Sequence, residues 1–241
     1  MLFRSGAWSR GTHNRVSNFA FVEAGYAVAS VEHRLTGVAP FPAQIHDIKG
    51  AIRFLRAQAG DYGYDARRVA ILGVSSGGHL AALAATTNGD ATLEGTVGGN
   101  LDQSSDIAAV VSYFGASDLT TILAQSTPFG LNVRVPALTG LLGGPPDERT
   151  ELARLASPVF HVDASDPPLL LLHGDQDPQM PINQAHELDG AYKKLGLDVH
   201  FEVVHGAGHG GAAFFDAERS ALVIAFLDRN LRSYVSDARR N

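Results

Sequence analysis

Short apolar runs punctuate the chain, and amphipathic stretches fill the intervals between them. The runs are residues 26–31 (YAVASV), 69–74 (VAILGV), 107–114 (IAAVVSYF), 169–173 (LLLLH) and 199–204 (VHFEVV). Most are nearly continuous in apolar residues, the pattern of a strand buried on both faces. Residues 43–59 instead place Ile45, Ile48, Ile52 and Leu55 on one helical face. Residues 76–87, 184–195 and 212–231 also read as helices, the last with Phe215, Leu222 and Phe226 turned inward. Strands alternating with helices predict an α/β fold, a mostly parallel sheet with helices on both faces. Residues 88–106, rich in Gly, Asn, Asp and Ser, read as a loop. Residues 117–168 carry several prolines and glycines and read as a cap-like insertion of short helices above the sheet. The expectation is a single domain over residues 1–241, with ligands at the carboxyl ends of the strands.

Composition narrows the functional classes. The formal net charge of −6 gives no electrostatic footprint for nucleic acid. One of the longest apolar runs, Pro168 to Leu172, is far below the ~20 residues of a membrane span. The start, MLFRSGAWSRG, lacks the apolar segment of a secretory signal, so the chain as given is expected to be cytoplasmic. With no cysteines, disulfides and thiolate metal sites are excluded.

The chemistry begins at Gly73-Val74-Ser75-Ser76-Gly77, between an apolar strand and an alanine-rich helix. This is the G-x-S-x-G nucleophile elbow. The chain reverses so sharply there that the residues two before and two after the serine have no room for a side chain. Ser75 has both glycines. Ser76 would need a glycine where Val74 stands, so Ser75 is the candidate nucleophile. The Ser76 N–H, at the start of the helix, is placed to face a developing oxyanion.

A serine hydroxyl needs a base, and the base needs an orienting carboxylate. Two downstream loops supply them. HGDQDP, residues 173–178, offers Asp175 and Asp177; HGAGHG, residues 205–210, offers His205 and His209. Asp175 is expected to cap the His173-Gly174 turn, leaving Asp177 to face the site. His205 sits at the strand end and His209 at the loop tip, so His209 is favoured. A zinc reading of the two histidines lacks a third ligand, and no metal or cofactor is expected. Among the other histidines, His79 reads as packed against the sheet. His46 and Asp47 read as lying on the outer or end face of their helix, His33 as holding a loop, and His161 as lacking a visible partner.

Together the elbow, the HGDQD loop and the GAGHG loop resemble the α/β-hydrolase superfamily. More narrowly, the chain resembles the small-esterase branch of feruloyl and acetylxylan esterases, the BD-FAE group, near the hormone-sensitive-lipase type. The segments that carry this include VASVEHRL, FPAQIHDIKGAIRFLRAQAGDYGYDARRVAILGVSSGGHLAAL, LLGGPPDERTELARLASP, PPLLLLHGDQDPQMP and VVHGAGHGG. The resemblance implies an α/β-hydrolase fold, Ser75 as nucleophile, Asp177 as orienting carboxylate and His209 as base. It also implies a His-Gly-Gly-type loop supplying the other half of the oxyanion hole. The matching place is Arg4-Ser5-Gly6-Ala7-Trp8, where His-Gly is replaced by Arg-Ser while Gly6 and Ala7 remain. In the family's sheet, the strand leading into this loop lies between the strands read at 26–31 and 69–74. Residues 1–3 are all that can stand in for it, so the N-terminal strands are expected to be missing or truncated.

The expectation is a serine hydrolase of short-chain carboxylic esters, acetyl or feruloyl among them, with Ser76, Gly6 and Ala7 around the oxyanion. Its expected partner is a small-molecule ester, with a homodimer as the candidate assembly. Phe129, Leu131, Val133 and Trp8 are candidate pocket residues, with a core role as their alternative. The rival readings are a prolyl-oligopeptidase-like peptidase and a catalytically impaired scaffold that serves as a binding module.

Overall fold

The structure, a computed structural model, describes residues 1–13 and 19–232. Among the described residues, five strands form one parallel sheet in chain order: β1 (Leu2–Ser5), β2 (Ala70–Ser75), β3 (Ala109–Tyr113), β4 (Leu169–Gly174) and β5 (Val199–Val204). Helices α1 (Phe19–Glu23), α2 (Ala43–Ala57) and α3 (Ala59–Tyr62) lie between β1 and β2. Helices α4 (Ser76–Ala85) and α5 (Ala91–Glu94) lie between β2 and β3. Helices α6 (Ile122–Gln125), α7 (Pro128–Leu142) and α8 (Thr150–Leu155) precede β4, α9 (Asn183–Lys194) joins β4 to β5, and α10 (Ala217–Leu231) follows.

Strands β2, β3 and β4 bury side chains on both faces, as continuous apolar runs require. Along β4, Leu169 and Leu171 join Ile45, Ile48, Ile52 and Leu80 in one core. Leu170 and Leu172 point the other way, into a second core with Val223, Phe226 and Leu227 of α10. The two layers hold the carboxyl ends of all five strands along one rim.

The structure corrects three expectations about the elements. Residues 26–31 form no strand of this sheet. Residues 26–29 line, with Met1, Ala70 and Leu72, an open cavity of about 920 Å³ beside the sheet. Their apolar character predicts burial, but a strand also needs a neighbour in register. Instead, Leu2–Ser5 pairs with β2 and forms that edge of the sheet among the described residues. The helix expected over 212–231 is interrupted at Asp216, whose carboxylate caps α10 by accepting the Arg219 N–H at 2.8 Å. That break buries Phe214 and leaves Phe215 54% exposed. The 117–168 region includes a helix of 15 residues, α7, which Thr127 caps and which tolerates Pro136 on its solvent side.

Asp47, near the start of α2, receives a two-pronged ion pair from Arg34, with Nη2–Oδ1 at 2.8 Å and Nε–Oδ2 at 2.9 Å. Thus Arg34, beside His33, braces that loop. Within 88–106, Glu94 accepts from buried Lys49, buried Arg53 and Ser105, which pins the loop against α2.

Leu170 is fully buried on the central part of the sheet. Replacing it with Ala should cost about 2–5 kcal/mol of stability through lost burial and the cavity left behind. The expected readout is a lower denaturant midpoint at an unchanged slope.

Candidate active site

Ser75 ends β2 and begins the turn into α4 with φ of 57°, a conformation that costs a residue bearing a side chain. The reversal needs its first glycine for a plain steric reason. A Cβ on Gly73 would lie 2.0 Å from the Gly77 carbonyl oxygen. In return, Ser75 is presented at the rim, only 7% exposed, with its Oγ 2.9 Å from His209 Nε2. His209 Nδ1 is 2.7 Å from Asp177 Oδ2. A carboxylate is an acceptor, so Nδ1 carries the proton and Nε2 presents a lone pair to the serine hydroxyl.

The two loops meet because β4 and β5 run side by side and their ends touch. A Cβ on Gly174 would lie 2.2 Å from the Ala207 carbonyl oxygen, and the Gln176 N–H donates to that same oxygen at 3.0 Å. Asp175 takes part in this junction and does not cap the His173 turn. It accepts from His205 Nδ1 at 2.8 Å and from the Gly206 N–H at 2.7 Å, bracing the histidine loop from outside. His205 is exposed and bound to Asp175, whereas His209 is the histidine that reaches Ser75. The described residues include no cluster of three or more His, Cys, Asp or Glu able to hold a metal ion.

Asp177 is buried, which alone would raise its carboxyl. Hydrogen bonds outweigh that effect and hold it well below the usual carboxylate range. They come from His173 and His209, with the Met180 N–H at 2.9 Å and the Gln179 N–H at 2.8 Å on Oδ1. His173 Nε2 lies 3.0 Å from the Met180 carbonyl and 3.4 Å from Asp177 Oδ2, so it too faces acceptors and donates. Arg134, buried on α7, adds positive charge toward Asp177; burial lowers its own pKa and the carboxylate partly restores it. Behind the imidazole stands Phe114, edge-on at 4.8 Å between ring centres.

On the other side of Ser75, β1 brings Ser5 opposite it in register. The chain then makes a tight turn at Gly6-Ala7-Trp8-Ser9, closed by Ser9 N–H to Gly6 O at 3.1 Å. Ala7 and Trp8 have φ of 50° and 56°. Both are left-handed, at roughly 1–2 kcal/mol each for L-residues. The Gly6 N–H donates to Arg10 O at 2.7 Å, so of the two residues expected at the oxyanion, Gly6 is already engaged. Neither the Ala7 nor the Trp8 N–H donates to a group among the described residues. Trp8 is fully buried, and so belongs to the core rather than to an open pocket. Phe129 is 56% exposed, and Leu131 and Val133 are partly buried.

The BD-FAE family model matches residues 2–192. The chain belongs to the BD-FAE family. The match includes Ser75 and Asp177; His209 lies beyond it. Among curated proteins, it is 32% identical to the "Probable carboxylic ester hydrolase LipM" of Mycobacterium tuberculosis over 75% of this chain and 41% of that protein. It is 30% identical to "Esterase LipC" of the same organism over 85% of this chain and 51% of that protein. The chain thus spans about half the length, or less, of these relatives. Among solved structures, a "Truncated form of carbohydrate esterase from gut microbiota" superposes with a TM-score of 0.87, at 32% identity, over 95% of this chain and 84% of that one.

In this BD-FAE chain, sequence reasoning did not reach three residues around the site. His173 and Phe114 act through contacts made by strand ends, and Arg134 through a helix far along the chain. The His205–Asp175 brace had a signal, since the HGDQD and HGAGH loops each carry a second acid or histidine.

The sign of the Asp177 shift fixes a pH dependence. Unfolded, its carboxyl titrates near ~3.9; folded, it stays ionised below that. Its contribution to stability is therefore complete above that pH and is lost as the solution is acidified. The stability gap between the wild type and Asp177→Asn should narrow from pH 7 to pH 3 in chemical denaturation. A gap that widens on acidification contradicts the assignment.

Proposed function

We infer that this chain is a cofactor-independent serine hydrolase of carboxylic esters. The observation that carries the reading is the relay from Ser75 Oγ to His209 Nε2 at 2.9 Å and from His209 Nδ1 to Asp177 at 2.7 Å. Ser75 Oγ attacks the ester carbonyl as His209 Nε2 takes the hydroxyl proton. Asp177 holds the imidazole in the tautomer that can accept this proton and stabilises the imidazolium that forms. The same proton passes to the leaving alcohol, and water, deprotonated by His209, cleaves the acyl-enzyme. The N–H groups of Ser76 and Ala7 receive the oxyanion, and Gly6 shapes the turn that presents Ala7.

Short acyl groups are the proposed substrates. LipM and LipC are named as ester hydrolases, and the structural neighbour at 32% identity is named a carbohydrate esterase. An acetylated or feruloylated carbohydrate is therefore the class to try first. Among the described residues no helix is long and apolar enough to cross a membrane.

The test is turnover of p-nitrophenyl acetate together with fluorophosphonate labelling of Ser75. Ser75→Ala and His209→Ala should each lose about 10⁴-fold or more in kcat, and Asp177→Asn about 10⁴-fold. Equal turnover by the wild type and Ser75→Ala would remove this reading.

A further inference from the structure

The turn at Gly6–Ser9 holds two side-chain-bearing residues in left-handed backbone, and such a turn persists only where its surroundings enforce it. One buried side-chain attachment runs through Trp8, the chain's one tryptophan. Its indole Nε1 lies 3.0 Å from His79 Nδ1, and the rings meet edge to face at 5.2 Å. An indole nitrogen only donates, so His79 Nδ1 must carry a lone pair. The proton therefore sits on Nε2, which donates to the Ala156 carbonyl at 2.6 Å. Both rings are fully buried. His79 lies four residues after Ser75, one helical turn along α4, the helix whose first residue is Ser76.

We propose that His79 is a positioning residue: through Trp8 it fixes the strained turn so that the Ala7 N–H stays aimed at the site beside Ser75. This rests on the ester-hydrolase reading for its catalytic consequence, but not for its structural one. One neutral imidazole ties three pieces together: the turn after β1, the helix after Ser75 and the end of α8. The Trp8 carbonyl is held as well, accepting the Thr36 N–H at 3.0 Å, so the tie acts on a residue already fixed at its backbone. What His79 adds is the rotation of the indole, and with it the setting of the neighbouring peptide.

Two substitutions separate the two ends of the tie. In His79→Asn the side-chain oxygen can stand where Nδ1 accepts from Trp8. In His79→Gln the longer amide reaches toward Ala156 and leaves the indole without its acceptor. Trp8→Phe keeps an aromatic ring in the core while removing the donor together with the five-membered ring that carries it. For p-nitrophenyl acetate, His79→Gln and Trp8→Phe should each lower kcat by about 10- to 100-fold, below the full loss of one oxyanion donor, with KM within about twofold. The double variant should be little worse than either single one, because both cut the same bond. His79→Asn should recover to within about fivefold of the wild type.

A readout independent of activity comes from ¹⁵N-tryptophan labelling, which reports one indole N–H and one backbone amide, both of Trp8. Both signals should move in His79→Gln and hold near their wild-type positions in His79→Asn. The proposal is overturned if both signals stay in place in His79→Gln, or if His79→Asn and His79→Gln are equally impaired. It is also overturned if the loss appears in KM alone or if the double variant multiplies the single losses. If the signals move in His79→Gln and hold in His79→Asn, but the wild type hydrolyses no ester and is not labelled by fluorophosphonate, the tie stands and the ester-hydrolase reading is removed instead.

Discussion

The reversal at Ser75 is the constraint on which the site depends. Strand β2 and helix α4 approach so closely that Gly73 and the Gly77 carbonyl leave no space between them for a methyl group. That contact forces Ser75 into its left-handed conformation and lifts its hydroxyl onto the rim. Everything else arrives by register. In a parallel sheet all carboxyl ends face one way, so Ser5, Gly174 and Val204 bring their loops to the same edge as Ser75. The bonded partners Ser75 and His209 stand 134 residues apart in the chain and meet only because of this alignment.

Electrostatics then decide what the assembled groups can do. A buried carboxylate is costly unless its lone pairs are filled. Asp177 fills them with two imidazole N–H groups and two backbone N–H groups, all supplied by its own loop, β4 and the histidine loop. The carboxylate therefore remains charged in a place where charge orients an imidazole strongly. The outer pair, Asp175 and His205, is exposed, and an exposed ion pair contributes little to stability. Its use is geometric: with the Gly174–Ala207 contact it sets how the two loops lie across each other.

Much of this was legible in the chain. Continuous apolar runs located four of the five strands, and the spacing of Ile45, Ile48, Ile52 and Leu55 located α2. The glycine pattern around Ser75 reported a steric requirement directly, which is why it singled out one serine of two. Where the sequence misled, the missing information was non-local. Residues 26–31 carry the composition of a strand, yet pairing depends on a neighbour whose position composition does not encode. Phe214 and Phe215 exchange roles because one capping side chain, Asp216, restarts the helix. Lys49 and Arg53 lie buried on α2 because the 88–106 loop folds over them with Glu94, a partner more than forty residues away.

The two strained places, Ser75 and the Ala7-Trp8 turn, come from different strands but share one reference body, α4. Ser75 immediately precedes that helix, and His79 within it accepts from Trp8. A rigid helix can hold two peptide groups at a constant separation more accurately than two loops could hold each other. The arrangement requires His79 to be neutral, because protonating Nδ1 would set a donor against the indole donor. Burial meets that requirement by lowering its pKa to about 4. The consequence follows from linkage. Below its unfolded value of ~6.5 the unfolded chain takes up a proton that the native state refuses. Stability therefore declines from that pH down to about 4, the value for the folded imidazole. The same burial that preserves the tautomer at neutral pH makes the turn's anchor a source of acid sensitivity.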